Sequence, residues 1–598
     1  MSDFISESNR LRKAGQLAES LDALRNGLRP ASVDAATHER AGRLLKKHLD
    51  APKAPRIRLL GQCTTSWMVP VLGAVAWARG TALRVEDGEY DSVMQELAHG
   101  EPPDVLVLIP WTQRLFSDDE RTESERIDAE LAFWQAAWAQ RKGSKLVQVG
   151  YDWTAPGAKG VMLGGGAGGP MRLVRRMNDA LRHHLPSGAG WVDIEAISGS
   201  FGRERFYDAR RFFWTKQPFS EEGTLRLCRH LFAAARALLT GPKKVLVLDL
   251  DNTLWGGVVG ELGPYGVQLG ESADGEAFRA FQAHCKGLAS RGIVLVVASK
   301  NNDADAREPF EKNPDMVLRL GDFAAFQANW EPKSWNIARM AETLRLGLDS
   351  FVFFDDNPAE REQVRQALSQ VEVVDVPEDP SEYVAALEAT LFYESLPPTA
   401  EDGERGAQYQ AEAQRDAERT AFASLDDYLT SLEMVADLRP VDDADMQRVV
   451  QLLGKTNQFN LTTRRHGEDQ LREWLKDGRG VLYTLRVRDR FGDHGLIGVV
   501  LGVPDEDEDG VLRVDTFLMS CRVIGRTVEQ YLWARVLARA GELGYRHIRA
   551  EFLPTPKNAQ VARLYDDFGM VRVSELEGAV VYEAGLGSLE PPQNFLRV

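Results

Sequence analysis

The stretch VLVLDLDNTLWGG (Val245–Gly257) climbs through apolar residues to Asp249, passes Leu250 and reaches Asp251. No basic residue stands beside the two acids. On a strand, residues i and i+2 share a face, so both carboxylates are predicted to project together from the carboxyl end of a buried strand. Open α/β sheets bind ligands at that edge. Bare carboxylates repel each other there unless a cation sits between them, and Mg2+ suits a site built of carboxylate and substrate phosphate. The pair can divide the work of phosphoryl transfer. Asp249 would attack phosphorus as nucleophile. Asp251 would protonate the leaving oxygen and later activate water.

Later segments supply what that chemistry still needs. VLVVASKN brings Ser299 to a strand end, where its hydroxyl can bond a phosphoryl oxygen. NWEPKSWNI offers Lys333, a cation to balance phosphoryl charge. FVFFDDNPAERE ends in Asp355 and Asp356, which with Asp249 and Asp251 complete the expected metal ligands. The order DxDxT, Ser, Lys, DD resembles the haloacid dehalogenase (HAD) superfamily of phosphatases. A plain acidic loop at a helix N-terminus would explain one of these motifs, not the ordered set. About fifty residues separate Asp249 from Ser299, and about thirty separate Ser299 from Lys333. Neither interval holds a cap domain, so the site is expected to be open. Openness suits a substrate presented on a protein, or closure by a neighbouring domain.

These residues must be held by α/β layers, and the chain has room for several. Its 598 residues suggest about three or four domains. The expected fold is multidomain α/β, with five segments. Residues 1–50 form a short helical segment, with Leu11, Ala14, Leu17, Leu21, Leu24 and Leu28 on one helix that Pro30 ends. A second helix is expected from about Val33 to Leu49. Residues 56–240 alternate strands (RIRLLG, DVLVLIP, KLVQVG) with helices, as a parallel sheet requires. Residues 243–396 repeat that pattern as a capless Rossmannoid domain, with strands expected at 245–249, 293–298, 316–320, 351–354 and 371–375. Residues 397–424 read as a charged helical linker. Residues 425–598 read as α+β: helices, a meander, the helix VEQYLWARVLARAGELG and the strand HIRAEF.

The net charge of −17 disfavours nucleic acid and anionic membrane as partners. Cys63, Cys228, Cys285 and Cys521 lack CxxC spacing, which fits a reducing compartment rather than a disulfide framework or a zinc site. With no apolar leader or bilayer-length apolar run, a soluble cytoplasmic protein is expected.

LDLDNTLWGGVVGE, QLLGKTNQFNLTTRR, DRFGDHGLIGVV and FLMSCRVIGRTVE together resemble the FkbH-like family of glyceryl transferase/phosphatases, over roughly residues 56–585. The resemblance implies a small phosphorylated three-carbon substrate, 1,3-bisphosphoglycerate, and a glyceryl thioester on an acyl carrier protein, for polyketide-type biosynthesis. SCRVIGRTVEQYLW reads as strand end, turn and helix start, and Arg522, Gly525, Arg526 and Thr527 resemble the pyrophosphate loop of GNAT acyltransferases. Such a turn could receive the phosphopantetheine arm of a carrier protein. Cys521, at a helix N-terminus and beside Arg522, would form a thiolate readily and could carry the acyl group; a buried structural cysteine is the plain alternative. Lys455, Asn457, Gln458 and Asn460 either line a polar pocket or cap a helix. Asp493 and His494 fit a turn between two strands, or a base for thiol attack.

LLGQCTTSW begins like the first block of SGNH hydrolases with Cys63 in the serine slot, but Asp208 is followed by Arg211 where a histidine is needed. The implied domain is a degenerate SGNH-like one, and Cys63 is the second candidate acyl acceptor. Gly-rich LGGGAGGP lacks the Gly-Lys-Ser/Thr of a P-loop and reads as a loop. The rival readings are a CoA-dependent acyltransferase fused to a phosphatase, a stand-alone phosphatase, and a docking scaffold with vestigial domains.

Overall fold

The computed structural model describes residues 4–30, 32–116, 121–154, 160–166, 168–397, 409, 424–455, 459–476, 478–505, 508–520, 523–555, 558–576 and 578–597. The chain divides into two compact units: Met1–Pro242 with Glu394–Leu396, and Lys243–Tyr393 with Pro397–Val598. The multidomain α/β class is as expected from the pattern of elements.

Unit one carries a five-stranded parallel sheet of β1 (Arg56–Gly61), β2 (Arg84–Asp87), β3 (Val105–Ile109), β4 (Lys145–Val149) and β5 (Gly190–Val192), in the order β2-β1-β3-β4-β5. Alternate residues of one strand feed opposite cores, as the pleat requires. Val105, Val107 and Ile109 pack with Ile57 and Leu59, while Leu106 and Leu108 pack with Leu60 and Leu146 on the other side. The strands at 84–87 and 190–192 are too short and too polar or Gly-led to stand out in the sequence. Ahead of the sheet, the expected Leu11–Leu28 helix is instead two helices, Phe4–Lys13 and Leu17–Leu28, broken where Gly15 turns at φ 79°. A third spans Ala35–His48, capped by Asp34 on Thr37 N.

Unit two opens with a second parallel sheet: β6 (Val245–Leu248), β7 (Val294–Ser299), β8 (Phe323–Ala328), β9 (Phe351–Phe354) and β10 (Glu372–Val373), ordered β10-β9-β6-β7-β8. Here again Leu246, Leu248, Val352 and Phe354 serve one core, and Val245, Val247, Phe351 and Phe353 the other. The connections run from β6 to the two neighbours β7 and β9, so the strand order reverses at β6/β9, the place where such sheets leave a crevice for ligand. Between β6 and β7 lie helices Val259–Gly266 and Ala273–Ser290; between β7 and β8 lies Asp303–Lys312. No separate domain interrupts them. The strand expected at 316–320 lies instead at 323–328. Gln282 Oε1 accepts from Val317 N and Leu318 N, and Met316 and Leu318 are buried, so that apolar run plugs the core as a loop rather than laddering.

The later part of unit two is a seven-stranded mixed sheet: β11 (Val435–Pro440), β12 (Val481–Asp489), β13 (Gly492–Pro504), β14 (Val511–Met519), β15 (His547–Phe552), β16 (Val571–Leu576) and β17 (Ala579–Gly585), ordered β11-β12-β13-β14-β15-β17-β16. Its α+β character matches the sequence reading, though β11 precedes the first long helix and β16 and β17 follow HIRAEF. β14 and β15 pair in parallel only over Val511–Val514 and His547–Ala550. Past that point the chain's own Phe459–Leu461 fills the gap: Leu461 N donates to Phe517 O (3.2 Å), Met519 N to Phe459 O (3.0 Å) and Leu553 N to Leu461 O (2.8 Å). The linker expected at 397–424 falls outside the described residues apart from Pro397, Tyr409 and Ser424. No helix among the described residues is long and apolar enough to cross a membrane.

Candidate active site

Asp249 follows β6 directly and Asp355 follows β9, so the strand-order reversal sets them side by side. Lys333, the first residue of helix Lys333–Thr343 behind Pro332, reaches between them. Its Nζ lies 3.0 Å from Asp249 Oδ2 and 2.5 Å from Asp355 Oδ2. Burial works against the lysine charge, but the Asp249 and Asp355 carboxylates outweigh it and hold the ammonium above the usual lysine range. Asp355 Oδ1 accepts from Asn357 N (2.9 Å), and the Arg361 guanidinium caps the Asp355 and Asp356 carbonyls at 2.7 Å each. Asp356 is tied to Thr253, whose Oγ1 donates to its Oδ1 (3.2 Å) and accepts from its backbone N–H (3.3 Å).

Oxygens of Asp249, Asp355 and Asp356 all lie within 4.8 Å of one another. Burial and then the Asp249 charge push both Asp355 and Asp356 above the ordinary carboxylate range. Three carboxylates thus face one ammonium. Among the described residues, Asp249 Oδ1 is buried and has no hydrogen-bond partner. An unsatisfied buried anion oxygen beside two further acids is the arrangement a hard divalent cation would relieve.

Asp251 stands outside that trio. β6 ends at Leu248, and the chain turns at Asn252 with φ 54°, so strand alternation does not carry through to Asp251. Its Oδ1 accepts from Trp255 Nε1 (2.9 Å) and Val259 N (3.0 Å), and its Oδ2 from Asn301 Nδ2 (2.9 Å). Ser299 ends β7, almost fully buried, and its Oγ accepts from the same Asn301 amide (3.2 Å). The structure therefore brings Asp249, Asp355, Asp356 and Lys333 into one cluster, and joins Asp251 to Ser299 through Asn301. Thr253 is the threonine of the DxDxT string, whereas Asn301 and Arg361 carry no motif signal of their own. Thr253 and Asn301 follow Asp251 and Ser299 by two residues each.

Of the expected acyl-transfer residues, Cys521 and Arg522 lie outside the described residues, as do Asn457, Gln458 and the Lys455 side chain. Gly525 turns at φ 76°, and Thr527 at φ 59° precedes helix Val528–Glu542, its Oγ1 accepting from Phe595 N (3.1 Å). Arg526 is buried, its guanidinium 3.7 Å from Asp489 Oδ2 and 3.4 Å from His494 Nε2. His494 Nε2 is itself 3.0 Å from Asp489 Oδ2, inside β13 rather than in the turn. Asp493 Oδ1 accepts from Gly495 N (2.7 Å). Asn460 is wholly buried and its Oδ1 accepts from Thr462 N and Thr463 N.

In unit one, Cys63 is 1% exposed and burial pushes its thiol up to about 12. Asp208 caps the following turn, accepting from Arg211 N, with the Arg211 Nε at 3.7 Å.

No family model matches the chain, and no curated protein matches it. Among solved structures, the N-terminal part of the protein BF1531 from Bacteroides fragilis, containing a phosphatase domain and complexed with Mg, is similar at 29% identity and TM-score 0.56, over 61% of this chain and 99% of that chain. The GNAT domain of S. lividans PAT is similar at 20% identity and TM-score 0.21, over 25% of this chain and 90% of that one. An N-acetyltransferase from Staphylococcus aureus Mu50 matches at 14% identity and TM-score 0.21, over 25% and 98%.

Proposed function

We propose that the Asp249 centre is a Mg2+-dependent phosphatase, and that the chain moves a glyceryl unit from 1,3-bisphosphoglycerate through a Cys521 thioester to the phosphopantetheine thiol of an acyl carrier protein. One observation carries the phosphatase half: a buried Asp249 oxygen without a partner among the described residues, in a group of three acids that outnumber Lys333. The donor set is all oxygen, which suits Mg2+. Asp249, Asp355 and Asp356 would hold it, and when bound it would neutralise charge on the phosphoryl oxygens. The Mg-complexed phosphatase-domain structure at 29% identity supports the same reading.

In the first step an Asp249 oxygen bonds to phosphorus. The bond from phosphorus to the leaving oxygen breaks, and Asp251 gives that oxygen its proton. Ser299 donates its O–H to a phosphoryl oxygen, and Lys333 balances charge. In the second step water bonds to phosphorus, its proton passes to Asp251, and the aspartyl–phosphorus bond breaks to release inorganic phosphate.

The acyl-transfer half rests on the FkbH-like resemblance of KTNQFNLTTRR and SCRVIGR. A Cys521 thiolate would attack the C1 carbonyl of the acyl phosphate, forming C–S and expelling phosphate. The carrier thiol would then displace Cys521, its proton passing to the enzyme sulfur. The burial of Cys63 favours Cys521 over it as acceptor.

Intact-protein mass spectrometry after incubation with 1,3-bisphosphoglycerate tests the scheme. A glyceryl adduct is expected on the wild type, lost in Cys521→Ala and kept in Cys63→Ala. Asp249→Asn is expected to keep phosphate on the adduct. No adduct on any variant would leave a stand-alone phosphatase.

A further inference from the structure

Resting on the phosphatase reading above, we infer that Asn301 is a positioning residue that locks the proton-transfer group Asp251 to the phosphoryl-binding hydroxyl of Ser299. The residue is 5% exposed, two positions past the end of β7. One amide nitrogen bonds both groups: Asp251 Oδ2 at 2.9 Å and Ser299 Oγ at 3.2 Å. The amide nitrogen, not its oxygen, thus faces both side chains. Both N–H bonds of that amide are then committed.

Two consequences follow from the donor geometry. Ser299 accepts from Asn301, so its own O–H is directed away from the amide, toward an incoming phosphoryl oxygen. Asp251 Oδ1 is already held by two donors, Trp255 Nε1 and Val259 N, neither of which can accept a proton's hydrogen bond. Oδ2 is therefore the oxygen whose place Asn301 sets. Asn301 makes or breaks no covalent bond.

Leaving-group dependence separates this role from general support of the fold. A 4-nitrophenolate departs without a proton; an alkoxide does not. Phosphate release from 3-phosphoglycerate and from 4-nitrophenyl phosphate would be measured with Mg2+ for the wild type, Asn301→Ala and the isosteric Asn301→Asp. The expected result is a fall in kcat/KM of about 100-fold or more on the alkyl ester, within the usual span of general acid catalysis, and of less than about 10-fold on the nitrophenyl ester. Equal losses on both esters, or no loss on either, would overturn the inference. Failure of the wild type on both esters would instead overturn the phosphatase reading and this inference with it. Near-ultraviolet circular dichroism keeps a misfolded variant from passing as a positioning defect, and Asn301→Asp, which preserves shape, must show the same ester selectivity.

Discussion

Lys333 Nζ lies 3.0 Å from Asp249 Oδ2, and the two side chains are only 3% and 9% exposed. A buried ion pair of this kind is matched only while both partners remain, because each was taken out of water to meet the other. Around it the rest of the acidic edge is arranged, and its removal is the most direct way to read what the edge does.

Lys333→Met leaves Asp249 and Asp355 facing each other without their cation. The metal-free variant is expected to lose about 3–5 kcal/mol of stability, the usual range when one member of a buried pair is deleted. Urea unfolding checks this. Adding Asp355→Asn to Lys333→Met should recover part of the loss, since one of the repelling charges goes with it.

Magnesium should stabilise the wild type by mass action. At about one hundred times its Kd the gain is about 2.7 kcal/mol. Asp249→Asn is expected to abolish phosphate release and most of that stabilisation; Asp356→Asn should weaken it less, since Thr253 still orders the segment. Differential scanning calorimetry with and without Mg2+ reads both effects. Identical thermograms would remove the metal from the proposal.

Acid should weaken unit one through His38. This residue is 2% exposed within helix Ala35–His48, its Nδ1 donating to Asp34 O at 3.0 Å. Burial, chiefly, lowers its ring to about 4, against an ordinary value of 6.5. The unfolded chain therefore takes the proton first. Stability present above pH 6.5 is lost as pH falls toward 4, by about 3 kcal/mol at one unit per 1.36 kcal/mol. In His38→Gln the slope of stability against pH between those values should flatten, as measured by chemical denaturation across the range.

Cys63 should be chemically quiet. Its thiol is buried and held far from ionisation at neutral pH, and only thiolates alkylate readily. Iodoacetamide labelling of Cys63 is expected to be at least about 100-fold slower in the native protein than in urea, as read by peptide mass spectrometry. Rapid native labelling would restore Cys63 as an acyl acceptor.

Much of the acidic edge was legible because its chemistry is local: an apolar run ending in an acid marks a parallel strand and its ligand-binding end at once, as at Val245–Asp249 and Phe351–Asp355. What escaped depends on long-range partners. Asp251 reads as a strand residue until Asn252 turns the chain, and nothing in the sequence says that Trp255, Val259 and Asn301 claim its oxygens. The apolar run at Met316–Leu320 has strand composition, yet the Gln282 amide takes the two backbone donors a strand would have used. The short strand Gly190–Val192 is laddered on the edge that β4 offers, a partner distant in sequence. In the later sheet, Asn460 reads as part of a polar pocket or a helix cap, while the backbone of Phe459–Leu461 serves as a wedge between β14 and β15.

The split of β6 and β9 between two cores bears on how this chain can vary over generations. Inserting or deleting one residue within 245–249 would swap the side chains beyond that point between the two interiors and swing Asp249 away from Lys333. Drift in length is thereby steered into the loops, where the reach and the clientele of the centre can change while the ruler beneath it stays fixed.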